Sequence, residues 1–197
     1  MFTGIVEEKG KLVTKKKTGE GYQLTFSGKI VTEDLKIGDS VAINGVCLTV
    51  VSKEEDKFFV DVIEETLKKS NLGELEENGN VNFERSLKAD ARLGGHFVLG
   101  HVDTKGTVID IKELSNSHWM TIEYPKEFMK NLIYVGSVSI DGVSMTVAEL
   151  EENRFSVGII PHTWQMTVFS DKKIGSTVNL EFDVLGKYVE KIMNPQQ

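Results

Sequence analysis

Few residues in this chain can move a proton or attack an electrophile. There is one cysteine, Cys47, and there are four histidines, His96, His101, His118 and His162. An imidazole titrates near pH ~6.5, so His101 suits a proton shuttle at neutral pH. Taken alone, a histidine at a strand end is better explained by a backbone hydrogen bond. Cys47 stands between Val46 and Leu48, and a free thiol in such a strand ordinarily packs and stays inert. A single cysteine excludes an internal disulfide framework and a cysteine-rich zinc site. His96 and His101 are five residues apart, a spacing that guarantees no common helix or strand face, and no third ligand follows; no metal is expected. His118 belongs to no motif and reads as a surface residue. Phosphate-loop, dinucleotide-fingerprint, zinc-protease and nucleophile-elbow motifs are all missing, so the commonest enzyme classes gain no support.

The chain that carries these residues is one unit written twice. Residues 40–66 (SVAINGVCLTVVSKEEDKFFVDVIEET) align without a gap with residues 137–163 (SVSIDGVSMTVAELEENRFSVGIIPHT), and 13 of 27 positions are identical. The 97-residue offset continues to VNFE and VNLE, whereas residues 3–13 match 99–109 at an offset of 96. The extra residue of the second copy falls within 125–134. Asn44-Gly45 and Asp141-Gly142 sit between apolar alternating runs and predict two-residue hairpins with positive φ at both central positions. Runs at 4–9, 22–27, 41–43, 46–51, 58–63 and 81–85 give about six short strands per copy, which argues for a small closed barrel. The expected fold is all-β, with two tandem six-stranded barrels over 1–96 and 97–184. Residues 66–75 predict a short helix starting from a Thr66 cap and ending at Gly73. Leu185, Val189 and Ile192 share helical spacing, with Pro195 beyond, so 185–197 reads as a C-terminal self-association helix.

Composition narrows the class further. The chain has 197 residues, 40% hydrophobic and 27% charged, with a net charge of −7. The only basic run, Lys15, Lys16 and Lys17, is too short for a phosphate-binding surface, so nucleic acid is not an expected partner. The longest stretch free of Asp, Glu, Lys and Arg covers residues 155–170, includes Pro161 and is too short to span a bilayer. The opening MFTGIVEEKG lacks a basic segment and a long apolar one, so no secretory signal is expected and a cytoplasmic location is.

The duplicated scaffold makes the differences informative. Cys47 becomes Ser144, Ile5 becomes His101, and DVIEET of 61–66 becomes GIIPHT of 158–163. Two like barrels with unlike polar fittings suit a protein that holds two similar ligands and treats them differently.

The motifs MFTGIVEE, GDSVAINGVCLTV, NLGEL, GGHFVLGHVDTKGTV, SIDGVSMTV, IIPHT and IGSTVNLE stand in an order and spacing that resembles the riboflavin synthase alpha-subunit family, over nearly the whole chain. The resemblance implies two Greek-key barrels, a homotrimer gathered by the C-terminal helix, and no metal or organic cofactor. It implies the dismutation of two molecules of 6,7-dimethyl-8-ribityllumazine to riboflavin and 5-amino-6-(ribitylamino)uracil, with lumazine synthase as a possible associate. It places ligand contacts at Gly4, Ile5 and Val6, at Cys47, Leu48 and Thr49, and at Asp61, Val62, Ile63, Glu64, Glu65 and Thr66 of the first barrel. In the second barrel it places them at Gly100, His101 and Val102, at Ser144, Met145 and Thr146, and at Gly158, Ile159, Ile160, Pro161, His162 and Thr163. Phe2, Ser40, Cys47, His101, Ser144 and Asp183 are implied as the residues of the chemistry. The family usually has a lysine nine residues before the serine of GVS; Val135 stands there in this chain. The rival expectation is a non-catalytic lumazine- or flavin-binding antenna protein of the same fold. Val135 points that way, while Cys47, His101, Ser144 and the intact GGHFVLGHV point to the enzyme.

Overall fold

Short apolar strands, separated at fixed points by turn residues, produce the same barrel twice. The computed structural model describes residues 1–194. The first barrel contains β1 (Glu8–Thr18), β2 (Gly21–Ser27), β3 (Ser40–Ile43), β4 (Val46–Lys53), β5 (Lys57–Val62) and β6 (Asn80–Arg85). The second contains β7 (Thr104–Leu114), β8 (Ser117–Glu123), β9 (Ser137–Ile140), β10 (Val143–Leu150), β11 (Arg154–Ile159) and β12 (Thr177–Phe182). Both are closed and antiparallel, in the order β1-β2-β5-β4-β3-β6 and its equivalent. The hairpin-linked β3, β4 and β5, with β6 returning beside β3, form a Greek key.

The two hairpin tips are as the sequence predicts: Asn44 and Gly45 have φ of 46° and 76°, Asp141 and Gly142 of 47° and 82°. Each long first strand carries a register shift, at Leu12/Thr14 and Val108/Asp110, and each fourth strand another, at Val50/Ser52 and Val147/Glu149. Such bulges bend a strand sharply enough to close a small barrel. The first core centres on Phe26, Phe58 and Phe83, whose rings meet at 5.2–5.7 Å. The second packs Tyr124, Phe155 and Phe182 with Val108, Ile122, Val157 and Leu180.

Four local expectations need correction. The first strand starts at Glu8, not Gly4, and runs on to Thr18; Glu7 N–H still donates to Phe83 O of the first barrel, while Gly4 O and Val6 turn to the second, as described below. Helix α1 spans Glu64–Lys69 and a separate 3₁₀ turn spans Asn71–Glu74. The helix therefore begins before Thr66, with two acidic residues in its first turn and two lysines in its last, and Ser70 breaks it by capping Leu72 N–H. His118 is half-buried rather than on the open surface, and its ring stacks on Trp164 at 4.0 Å. Helix α2 (Pro161–Met166) occupies in the second copy the place of α1, with proline at the first helical position where its missing N–H costs nothing. Helix α3 (Val184–Met193) is capped by Asp183, which accepts from Leu185 N–H. The expected helix over 185–197 ends earlier than predicted, and Pro195 lies outside the described residues.

The barrels join back to back through their hairpin tips. Asn179 donates to Asn44 O at 2.8 Å and Asn82 to Asp141 O at 2.9 Å, a reciprocal pair that repeats the duplication in space. Asp141, fully buried, accepts from Asn71 and from Asn179 N–H, and its other oxygen faces Lys172 at 2.6 Å.

Candidate binding clefts

On each barrel the outward face of the third and fourth strands carries the polar residues singled out by sequence. Cys47 lies opposite Ala42, and Ser40 opposite Thr49. Ser144 lies opposite Ser139, and Thr146 opposite Ser137. The same alternation turns Leu48, Val62 and Ile159 into the barrel cores. Their side chains face the cores, so only their backbone is open to a ligand on the outer face; Met145 likewise packs against the second core.

The copies exchange their first turns. Gly100 O accepts from Cys47 N–H at 2.9 Å, so the turn that opens the second copy lies on the first barrel. Gly4 O accepts from Ser144 N–H at 2.7 Å, so the turn that opens the first copy lies on the second barrel. Val102 accordingly packs on the first core and Val6 on the second. The two segments meet where Phe2 and Val98 exchange both backbone hydrogen bonds, at 2.7 and 3.2 Å. Grouping Gly4, Ile5 and Val6 with Cys47, and Gly100, His101 and Val102 with Ser144, is thus overturned: the pairs are crossed. Glycine is required at both contacts. A Cβ on Gly100 would stand 2.5 Å from Cys47 Cβ and one on Gly4 2.6 Å from Ser144 Cβ, and both residues have φ near +80°.

The first cleft, about 230 Å³, is lined by Cys47, Glu65, Thr66, Lys69, Gly100, His101 and Val102. The exchange brings Cys47 and His101, the two strongest candidates for polar chemistry, to one wall. Asp61, Val62, Ile63 and Glu64 line a different cavity with Tyr22, so the segment 61–66 is split between two sites. Phe2 is fully buried among Ala42 and Val98 beside Cys47, where it supports the cleft wall and offers no surface to a ligand.

On the second barrel, the counterparts of Glu65, Thr66 and Lys69 are His162, Thr163 and Met166 on α2, which Pro161 opens and Gly158, Ile159 and Ile160 lead into. Ser144 has a partner that sequence reasoning passed over. His96 Nδ1 lies 2.7 Å from Ser144 Oγ. His96 is 8% exposed, and burial holds its imidazole below the usual 6.5, opposed by the charge of Asp183. The signal was the Gly94-Gly95 pair preceding it: a Cβ on Gly95 would meet Thr3 O at 2.1 Å and Ser144 Cβ at 2.8 Å, so only glycine lets His96 reach the serine. Val135 is 63% exposed in a turn with φ 62°. Its N–H donates to Val147 O as that of Gly38 donates to Val50 O in the first copy. Among the described residues no group of three or more His, Cys, Asp or Glu could hold a metal, and no helix is long and apolar enough to cross a membrane.

Fold and clefts together define a duplicated small-molecule-binding barrel protein. The family model described as lumazine binding domain matches residues 3–86 and again residues 99–183. Riboflavin synthase of Actinobacillus pleuropneumoniae is 46% identical over 98% of this chain and 90% of its own length. Riboflavin synthase of Bacillus subtilis is 42% identical over the same shares, and that of Mycobacterium tuberculosis is 43% identical over 98% of each. Among solved structures, LumP complexed with riboflavin superposes with a TM-score of 0.87 at 24% identity, over 92% of this chain and 99% of that one, a likeness of fold. The chain belongs to the riboflavin synthase family of lumazine-binding-domain proteins.

Proposed function

We propose that this chain is a riboflavin synthase, converting two molecules of 6,7-dimethyl-8-ribityllumazine to riboflavin and 5-amino-6-(ribitylamino)uracil. The observation that carries the reading is near-full-length identity of 42–46% to named riboflavin synthases, spanning both barrels. One lumazine gives a four-carbon unit to the other, and the atoms balance without an oxidant or reductant. The donor needs a proton removed from its 7-methyl group, whose carbanion delocalises into the ring. The acceptor needs a nucleophile added at C7.

The two barrels carry unlike polar fittings at equivalent places, which suits these two roles. In the first, Cys47 and His101 share a wall, where His101 can take or return a proton, and Thr49, exposed two residues further along the strand of Cys47, can bond a ring amide. In the second, the Ser144 hydroxyl can donate to a neutral His96, which orients it and can accept its proton. Asp183, whose charge reaches His96, holds the start of α3 beside this pair. A homotrimer formed through α3, a cytoplasmic location and contact with lumazine synthase belong to the same reading. Incubation of the purified chain with the lumazine, followed by riboflavin fluorescence, tests it. Tight lumazine binding without riboflavin formation would overturn it in favour of an antenna-type binding protein.

A further inference from the structure

Two buried carboxylates have no place in the chemistry above. Glu84, on β6 of the first barrel, accepts from Thr3 N–H at 2.6 Å, Thr3 Oγ at 2.8 Å and Gly4 N–H at 3.0 Å. Glu181, on β12 of the second, accepts from the N–H groups of Leu99, Gly100 and His101 at 2.6, 2.9 and 3.0 Å. They are 5% and 2% exposed. Neither forms an ion pair among the described residues; each is held by the donors of a single turn. A carboxylate satisfied by three converging donors fixes that turn strongly, since each such bond is charge-assisted and desolvated.

Each turn fixed in this way has its far side on the other barrel. Glu181 of the second barrel holds Gly100, whose carbonyl binds Cys47 N–H of the first. Glu84 of the first barrel holds Gly4, whose carbonyl binds Ser144 N–H of the second. We propose that Glu84 and Glu181 are positioning residues that act crosswise, Glu181 setting the wall of the first cleft and Glu84 setting the backbone against Ser144 on the second barrel. Glu181 also fixes the backbone of His101 through its N–H, so the first cleft depends on the second barrel for both its Gly100 wall and its imidazole. The inference takes from the proposed function only that the clefts are ligand sites. It explains why neither barrel can be read as a self-contained unit: the first cleft and the Ser144 surface of the second barrel are each completed by a turn anchored on the neighbour.

The single cysteine gives a readout confined to the first cleft. The rate of Cys47 alkylation by iodoacetamide is measured in the full-length protein for wild type, Glu181→Gln and Glu84→Gln, with folding checked by circular dichroism. Glutamine keeps the shape but turns an amide donor toward backbone donors. Glu181→Gln is expected to speed alkylation about ten-fold, one decade being about 1.4 kcal/mol of cover lost, while Glu84→Gln, although on the barrel that contains Cys47, leaves the rate unchanged. If Glu181→Gln does not fold, Glu181→Asp, which retains the charge one methylene short, is measured in its place with the same expectation of faster alkylation. A residue that merely stabilised its own barrel would give the reverse ranking. A larger effect from Glu84→Gln, or no effect from the Glu181 variant, would overturn the proposal. Turnover is not read, so failure here leaves the assigned reaction standing, and absence of turnover leaves this result standing.

Discussion

Replacing Val135 with glycine should make the protein more stable, although the change removes an apolar side chain. Val135 sits at φ 62°, where a β-branched side chain crowds its own backbone, and the equivalent position of the first barrel is Gly38 at φ 92°. No contact is forfeited of the kind a core valine makes, because the residue is 63% exposed. A left-handed conformation costs a non-glycine residue about 1–2 kcal/mol. Glycine returns about 0.4–1 kcal/mol of that through the greater freedom of its unfolded chain. The net gain of about 0.5–1 kcal/mol corresponds to a rise in Tm of about 1–4 °C for a chain of this size. Thermal melting together with urea denaturation, in which the midpoint rises and the slope does not change, measures it. An equal or lower Tm would show that the turn is not strained and would refute the reasoning. The lysine usual in the family tests the same site chemically. The exposure of Val135 means that Val135→Lys buries no charge, so no loss of Tm is expected. If the ammonium reaches a ligand oxygen, turnover should rise about ten-fold, within the range of a charge-assisted hydrogen bond.

Stability should fall as the pH is lowered from about 7.5 to about 5.5, because His96 is held neutral by burial. Its folded value lies below 6.5, so the unfolded chain takes the proton first, and the contribution present above 6.5 is lost on acidification through that value. His96→Asn should flatten the dependence of Tm on pH over that window; an unchanged slope would remove His96 from it. Gly100→Ala should cost at least about 2 kcal/mol in urea denaturation and abolish ligand binding in the first cleft, since it adds a clash with Cys47 to a strained torsion. Gly19→Ala, with φ 61° and open space around its Cβ, serves as the control and should cost only about 1 kcal/mol. Truncation after Gly186 removes Tyr188, Val189 and Ile192, which are exposed on α3, and the Lys187–Asp103 and Lys130–Glu190 ion pairs. It should shift a trimer toward monomer in sedimentation and lower activity, and an unchanged sedimentation coefficient would take α3 out of the assembly.

The duplication, the hairpin tips at 44–45 and 141–142, and the number of strands are legible in the chain itself because each is a local property. Turn glycines and two-residue alternation determine backbone shape within a few residues, whatever the rest of the molecule does. Helix α1 was less legible, since its acidic first turn and Ser70 competed with the Thr66 cap that the pattern suggested. The crossed placement of the first turns is a different matter. Residues 3–6 and 99–102 are copies of one another, and so are the strands that receive them; either turn fits either barrel by pattern alone. Only the tertiary structure chooses, through the Phe2–Val98 bridge, the His96 N–H bond to Thr3 O and the anchoring of each turn on Glu84 or Glu181. The pairing of Cys47 with His101, and of Ser144 with His96 across 48 residues, follows from that choice. It depends on which of two equivalent surfaces a chain segment meets, and no local propensity encodes that.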